Sequence, residues 1–510
     1  MNAIRCAVTI FFVSVTGYLN AQNRAAEKYD EPHRPQVHFS PKAHWMNDPN
    51  GMVYYNGIYH LFFQYYPGGT VWGPMHWGHA ESRDMVHWKE LPAALYPDSL
   101  GYIFSGSAVV DSNNTSGFGR AAKIPLVAIF THHDPKGEKA GKDNFQNQSL
   151  AYSLDNGATW VKYSGNPVLK NPGIRDFRDP KVMWYAKQKK WVMTLATLDR
   201  ISFYSSPDLK RWRKESEFGR DMGAHGGVWE CPDLFPLSLN GKTYWILIVN
   251  LNPGGPNKGS ATQYFVGRFD GNKFTALDTQ TRWLDYGPDE YAGVIWGNTG
   301  TRKVFLGWMS NWLYANKVPT EKWRNAMTVP RQLSLKQVNG NILLASLPVA
   351  EFKKIEKKTL TVPARLIRGK SEEIVFNDTP PQYLLNFNTS DPANYTITLS
   401  NQAGERLVIG FNKTDRKYYI DRSRSGIINF SPDFGKLFSA PRLTAAHSSD
   451  LKLIVDASSA ELFADGGLTV MTSVFFPHKP FDHLTLTAEA ETIKNLRLAP
   501  LSSVWQVNKY

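Results

Sequence analysis

Three short stretches of this chain place acids in turns beside prolines. The first is His44-Trp45-Met46-Asn47-Asp48-Pro49-Asn50-Gly51. The second is Phe177-Arg178-Asp179-Pro180, and the third is Trp229-Glu230-Cys231-Pro232-Asp233. A lone Asp-Pro pair is most often an ordinary turn. Three such sites, each followed by a strand-like run and each rich in aromatic or amide neighbours, are read as one shared acidic pocket. Splitting a glycosidic bond needs that set. One carboxyl attacks or activates water, a second protonates the leaving oxygen, and a third can hold sugar hydroxyls.

Repetition along the chain explains how acids so far apart could meet. Asp48-Pro49 leads into Met52-Val53-Tyr54-Tyr55, a turn at Asn56-Gly57, then Tyr59 to Phe63. Asp179-Pro180 leads into Val182 to Tyr185, and Asp233 leads into Leu234 to Leu237 with a turn at Asn240-Gly241. A second repeat pairs Ser82-Arg83-Asp84 with Trp88, Ser153-Leu154-Asp155 with Trp160, and Ser206-Pro207-Asp208 with Trp212. Repeated short strands with aromatic signatures predict a β-propeller, with each acid on the innermost strand of a different blade. From Lys353 to Thr361 the chain becomes a charged connector. Beyond it Tyr395-Thr396-Ile397-Thr398-Leu399-Ser400 alternates strictly, and Asp465-Gly466-Gly467 signals a hairpin, so this half predicts a β-sandwich.

The chain resembles glycoside hydrolase family 32, the invertases, inulinases and levanases. The three acid-bearing blocks match that family's signatures in order, from about His38 onward. Further matches are Phe62-Phe63-Gln64-Tyr65, Trp72-Gly73, Phe104-Ser105-Gly106-Ser107 and Gly307-Trp308-Met309. The resemblance implies an all-β fold, a five-bladed β-propeller followed by a C-terminal β-sandwich. The expected division is a signal peptide at 1–21, a catalytic propeller at 30–349, a linker at 350–362 and a sandwich at 363–510.

The resemblance also implies roles. Asp48 would be the nucleophile, Glu230 the acid/base, and Asp179 the residue that holds fructose hydroxyls, with Arg178 orienting the acids. Asn47, Gln64, Trp72, Phe104, Ser105, Tyr291 and Trp308 would line the pocket for a terminal fructose. Around Tyr291 the family often reads Asp-Phe-Tyr-Ala, whereas this chain reads Asp289-Glu290-Tyr291-Ala292. The polar segment from Thr131 to Gln148 is expected to shape the leaving-group side. The implied activity is a retaining, exo-acting fructan β-fructosidase that also splits sucrose, with no cofactor and no metal. An endo-levanase or a fructosyltransferase would share all three acids. A non-catalytic fructan-binding protein would usually lack one, and a purely structural propeller would need none.

Bulk properties agree with an ordinary globular chain. The 510 residues are 42% hydrophobic and 20% charged, enough for two domains. Sixteen Trp, 23 Tyr and 28 Phe suit β-sheets, and most are expected in the core. The net charge of +13 is spread along the chain, which argues for a solvated basic surface and against a nucleic-acid partner. Residues 1–21 read as a secretory signal, with Arg5 before an apolar run from Ala7 to Leu19. Cys6 stands at the start of that run, where it would not carry a lipid, so no membrane anchor is expected. After cleavage only Cys231 remains, read as a packed residue beside the acid, and no disulfide is possible. The expected location is the periplasm or the medium. Oligomeric state and linkage preference are not legible in the sequence.

Overall fold

A computed structural model describes residues 29–120, 123–362, 365–366, 372–389, 394–488 and 492–505. The expected signal segment, 1–21, lies outside the described residues. The described chain is built almost wholly from β-strands. Five sheets of four or five strands come first, followed by a pair of larger sheets.

Each of the five sheets begins with one strand that faces a common centre. These inner strands are His44–Tyr55, Tyr102–Val110, Phe177–Tyr185, Val228–Leu239 and Tyr291–Ile295. Successive strands pair antiparallel through short turns. Asn56-Gly57 and Asn240-Gly241 both adopt positive φ, 47° with 79° and 50° with 75°, as two-residue hairpin turns require. The propeller ring is clasped where Trp323–Arg324 pairs, parallel, with the first inner strand at His44 and Trp45.

The Ser-x-Asp repeat has a plain structural purpose. In each copy the Asp or Ser side chain accepts backbone N–H groups of a tight turn, and the Trp indole donates to a carbonyl in the same turn. Asp84 Oδ1 accepts from Val86 and His87, and Trp88 donates to the Met85 carbonyl at 3.1 Å. Trp160 donates to Gly157 at 3.1 Å, and Trp212 to Leu209 at 2.8 Å. Most of the aromatic excess is therefore packing and turn closure, as the composition implies.

The second half is a sandwich of a six-stranded and a seven-stranded sheet. Tyr395, Ile397 and Leu399 are buried between the sheets while Thr396, Thr398 and Ser400 are only half-buried, which is the alternation of a strand with one core face. Asp465, Gly466 and Gly467 take φ of 53°, 64° and 82° and turn the hairpin between Ser459–Ala464 and Thr469–Val474. The charged connector is not a free tether. It contains a short 3₁₀ turn, Ala350–Ile355, which buries Phe352 and Ile355 against Leu384, Ile454 and Val329.

Buried charge also joins propeller and sandwich. Arg331 contacts Asp285 at 2.9 Å and Glu461 through two nitrogens, and all three side chains are fully buried. His38 bridges Asp456 at 2.7 Å and Glu461 at 2.8 Å. Arg422 of the sandwich meets Asp289 of the propeller at 2.5 Å.

Candidate active site

The inner strands are irregular at one common level. Pairing shifts register between Met46 and Pro49, Ile103 and Gly106, Arg178 and Lys181, Glu230 and Asp233, and Tyr291 and Val294. Each shift is a bulge-like break that re-aims side chains out of the pleat. Pro180 and Pro232 fall inside two of these breaks, where a missing N–H costs no ladder hydrogen bond, and Pro49 closes a third. Asp179 and Cys231 have φ of 63° and 42°, a left-handed backbone that non-glycine residues adopt only when their surroundings impose it. The breaks turn Asp48, Asp179 and Glu230 into one open pocket of about 270 Å³.

Asp48 is gripped from both sides. Its Oδ1 accepts from Asn47 Nδ2 at 2.9 Å, and its Oδ2 accepts from Ser105 Oγ at 2.9 Å. The Asn47 amide is itself fixed, because its Oδ1 accepts the Trp45 indole N–H at 2.7 Å. Burial, and then the nearby charge of Glu230, push the Asp48 carboxyl above its usual range, while the Asn47 and Ser105 donors pull the other way. Asp179 accepts from the Cys231 backbone N–H at 3.0 Å. Burial raises its pKa to about 7. Arg178 opposes that shift, and Glu230 and Asp48 add to it. The Cys231 thiol lies 3.6 Å from an oxygen of each aspartate, and burial followed by the three carboxylates pushes it far from ionisation. It is packing beside the acids and no nucleophile.

Glu230 is held by two partners. Arg178 Nε donates to its Oε1 at 3.0 Å, and the Tyr291 hydroxyl donates to its Oε2. Arg178 also contacts Asp176 at 2.5 Å, which fixes the guanidinium. The arrangement gathers four carboxyls in one pocket, with Arg178 bonded to both Asp176 and Glu230.

Among the sequence-selected residues, Asn47, Asp48, Gln64, Trp72, Phe104, Arg178, Asp179 and Glu230 line the pocket. Trp72 is 39% exposed and stands edge-on to Phe104. Gln64 donates to the Ile103 carbonyl at 3.1 Å, leaving its Oε1 directed by that anchor. Ser105, Tyr291 and Trp308 stand one layer behind. Ser105 reaches Asp48 and Tyr291 reaches Glu230, but Trp308 is completely buried. Its ring packs between Trp45, Tyr291 and Trp312, and it is Trp312 that lines the pocket. Trp308 lies within a strand paired to Tyr291, whereas Trp312 lies past that strand's end and is free to turn toward the mouth.

The sequence reading missed Trp312, Arg175 and Asp176 as pocket residues. The segment from Thr131 to Gln148 does supply wall residues, namely His133, Glu138, Phe145 and Gln146. It is more ordered than a long loop. Its ends belong to strands, and Pro135–Lys139 forms a short helix capped by Asp134. His133 stacks on Phe104 with ring centroids 4.2 Å apart and contacts Glu138 at 3.0 Å. Glu290, at the family's aromatic position, does not reach the pocket. It is buried against Gly293 and Gly307, and a Cβ on Gly307 would come within 2.3 Å of its carboxyl. Burial, and then Asp285, raise its pKa to about 8, so it stands neutral in the interior near pH 7. No cluster of three or more His, Cys, Asp or Glu side chains suited to a metal occurs among the described residues.

Comparison with known proteins agrees with this geometry. The model of the glycosyl hydrolases family 32 N-terminal domain matches residues 38–346, and that of the family 32 C terminal matches residues 352–500. The chain is similar to a levanase of Bacillus subtilis, 45% identical over 97% of this chain and 74% of the relative. It is 40% identical to an extracellular exo-inulinase of Aspergillus niger, over 94% of this chain and 96% of the relative. Its fold superposes on the crystal structure of exo-inulinase from Aspergillus awamori with a TM-score of 0.85 and 37% identity, covering 94% of this chain and all of that one. The converging acids, the propeller-and-sandwich architecture and these matches together place the chain in glycoside hydrolase family 32.

Proposed function

We propose that this enzyme removes terminal β-fructosyl units from fructans, levan or inulin, and from sucrose, by a retaining double displacement. The observation that carries this reading is the convergence of Asp48, Asp179 and Glu230 in one pocket with two donors fixed on Asp48. Asp48 attacks C2 of the fructosyl ring while Glu230 gives its proton to the departing oxygen. Arg178 and Tyr291 hold Glu230 for that transfer. In the second step Glu230 takes a proton from water, which attacks C2 and releases Asp48. Two inversions leave the anomeric configuration unchanged. Asp179 binds ring hydroxyls throughout. The relatives named above, a levanase and exo-inulinases, support the substrate class.

Exo-action follows from the pocket's walls. Trp72, Phe104 and Trp312 wall the pocket that holds Asp48, which on this reading favours a chain end over a chain middle. His133, Glu138 and Phe145 stand where the leaving portion would lie. On this reading residues 30–349 form the catalytic unit, 350–362 connect it, and 363–510 form the sandwich. Residues 1–21 direct export, in keeping with the extracellular relative, to the periplasm or the medium. Early digestion of levan, inulin and sucrose, with products separated by chromatography, tests the reading. Fructose should dominate from the first minutes while polymer size falls slowly. Early short oligosaccharides would mean endo-cleavage, and longer fructans would mean transfer.

A further inference from the structure

The inner strands bound a second cavity, at the end of the ring remote from the acids. Four of the five inner strands, all but His44–Tyr55, run from the level of the acids into it. Asp179 is followed by Lys181 to Trp184, Glu230 by Asp233 to Pro236, Tyr291 by Ile295, and Ser105 by Ala108 to Val110. At roughly 3.3 Å per residue, two to four residues separate the two levels by about 7–13 Å. Between them lies a bonded partition. Lys181 Nζ contacts Asp233 at 2.8 Å and the Ile295 carbonyl at 2.6 Å, and the Ile295 N–H donates to Asp233 at 2.8 Å. The remote cavity holds about 360 Å³, more than the catalytic pocket, and its rim includes the exposed residues Asn298 and Gly300.

Its lining has the chemistry of a sugar site. Half-buried indoles of Trp184 and Trp245 contribute apolar faces, and neither indole N–H donates a hydrogen bond among the described residues. Asn298 Nδ2 donates to the Tyr54 carbonyl at 2.8 Å, which leaves its Oδ1 to accept. Lys303 Nζ donates once, to the Gly300 carbonyl at 2.6 Å, and has two further N–H groups. The Lys181 charge is cancelled by Asp233, so the floor is polar without being a strong anion trap. Aromatic faces with convergent donors and an acceptor, in a space of this size, suit one or two units of a neutral polyhydroxylated ring.

We propose that this cavity is a second, non-catalytic carbohydrate site that holds a fructan chain while another chain end occupies the catalytic pocket. The proposal rests on the fructan reading above. A polymer bound at a remote point returns its ends to the catalytic mouth more often, whereas a disaccharide gains nothing from such tethering.

The test compares the intact protein with the double variant Trp184→Ala/Trp245→Ala. Its kcat/KM on levan or inulin should fall by about three- to tenfold, with sucrose hydrolysis within about twofold of the parent. Unchanged turnover of both polymers overturns the proposal. An equal loss on polymer and sucrose also overturns it, since the tryptophans would then only support the fold. Electrophoresis through levan- or inulin-containing gels adds a readout independent of catalysis. The parent should be retarded more than the double variant, and equal retardation in both gels counts against the site. A parent protein that frees no fructose from any substrate refutes the catalytic reading, yet retardation dependent on the two tryptophans would still support this one.

Discussion

The charge cluster around the acids and the one at the join between propeller and sandwich are built on opposite terms. Around Asp48, Asp179, Glu230 and Asp176 the guanidinium bonded to the acids is that of Arg178, while exposed Arg175 only lines the pocket. At the join between propeller and sandwich, Asp285, Asp289, Asp456 and Glu461 face Arg331, Arg422 and His38. Burial pushes carboxyls up in both places. In the first cluster the neighbouring acids push further, and Asp48 and Asp179 end above their usual range. In the second, Arg331 and His38 outweigh burial and hold Glu461 below it. The difference separates chemistry from architecture. An under-compensated cluster favours the protonated form of its two aspartates. A compensated one fixes two domains at one angle.

The sharpest way to break that comparison is to neutralise each cluster in turn. Asp48→Asn or Glu230→Gln should lower turnover by at least about 10²–10⁴-fold. Thermal unfolding of either variant should be unchanged or raised, because a like-charge repulsion is removed. Near-parental rates, followed by fructose release, would end the assignment of roles.

Arg331→Met should do the reverse. Asp285 and Glu461 would be left buried without their cation, at a cost of about 3–5 kcal/mol in a denaturant titration. An unaltered midpoint would show that the join does not depend on this ion pair.

His38 sharpens the contrast through pH. Burial lowers its basicity, but Asp456 and Glu461 prevail and raise its pKa to about 9 from 6.5. A folded-state value above the unfolded one means that the stabilisation is complete below pH 6.5 and is lost as pH rises through about 9. Melting temperature should therefore decline over that window in the parent and much less in His38→Gln. Parallel curves would remove His38 from the account.

The smallest effect belongs to the site. On the proposed mechanism Asp48 attacks in its ionised form, so its raised pKa should place the acid limb of kcat/KM above the ordinary carboxyl range near 3.8. Ser105→Ala removes one donor to Asp48 and should move that limb up by about 0.5–1 pH unit, the worth of one hydrogen bond. A limb that stays in place, measured on sucrose, would show that Ser105 does not tune the nucleophile.

The acids were legible because each lies in a local break with its own signature: a proline, a turn and a strand. The hairpin turns and the Ser-x-Asp repeat were legible for the same reason, since neighbouring residues make their contacts. Trp312 was hidden by Trp308, which carries the family motif but is buried where its strand pairs with Tyr291. The charge cluster at the join could not be read at all. His38 meets Asp456 and Glu461 more than 400 residues away, and no spacing rule links them. Glu290 was noticed as a departure, but only the folded chain shows that two glycines make room for it.

Arg422 and Asp289 carry a consequence for anyone who would cut or recombine this enzyme. Asp289 stands two residues before Tyr291, whose hydroxyl meets Glu230. A guanidinium from the sandwich thus bonds the propeller two residues before the tyrosine that meets Glu230. The two halves therefore share buried ion pairs that neither can complete alone. Grafting a foreign sandwich onto this propeller would require an arginine at that seam, or Asp289 would be left buried without its cation.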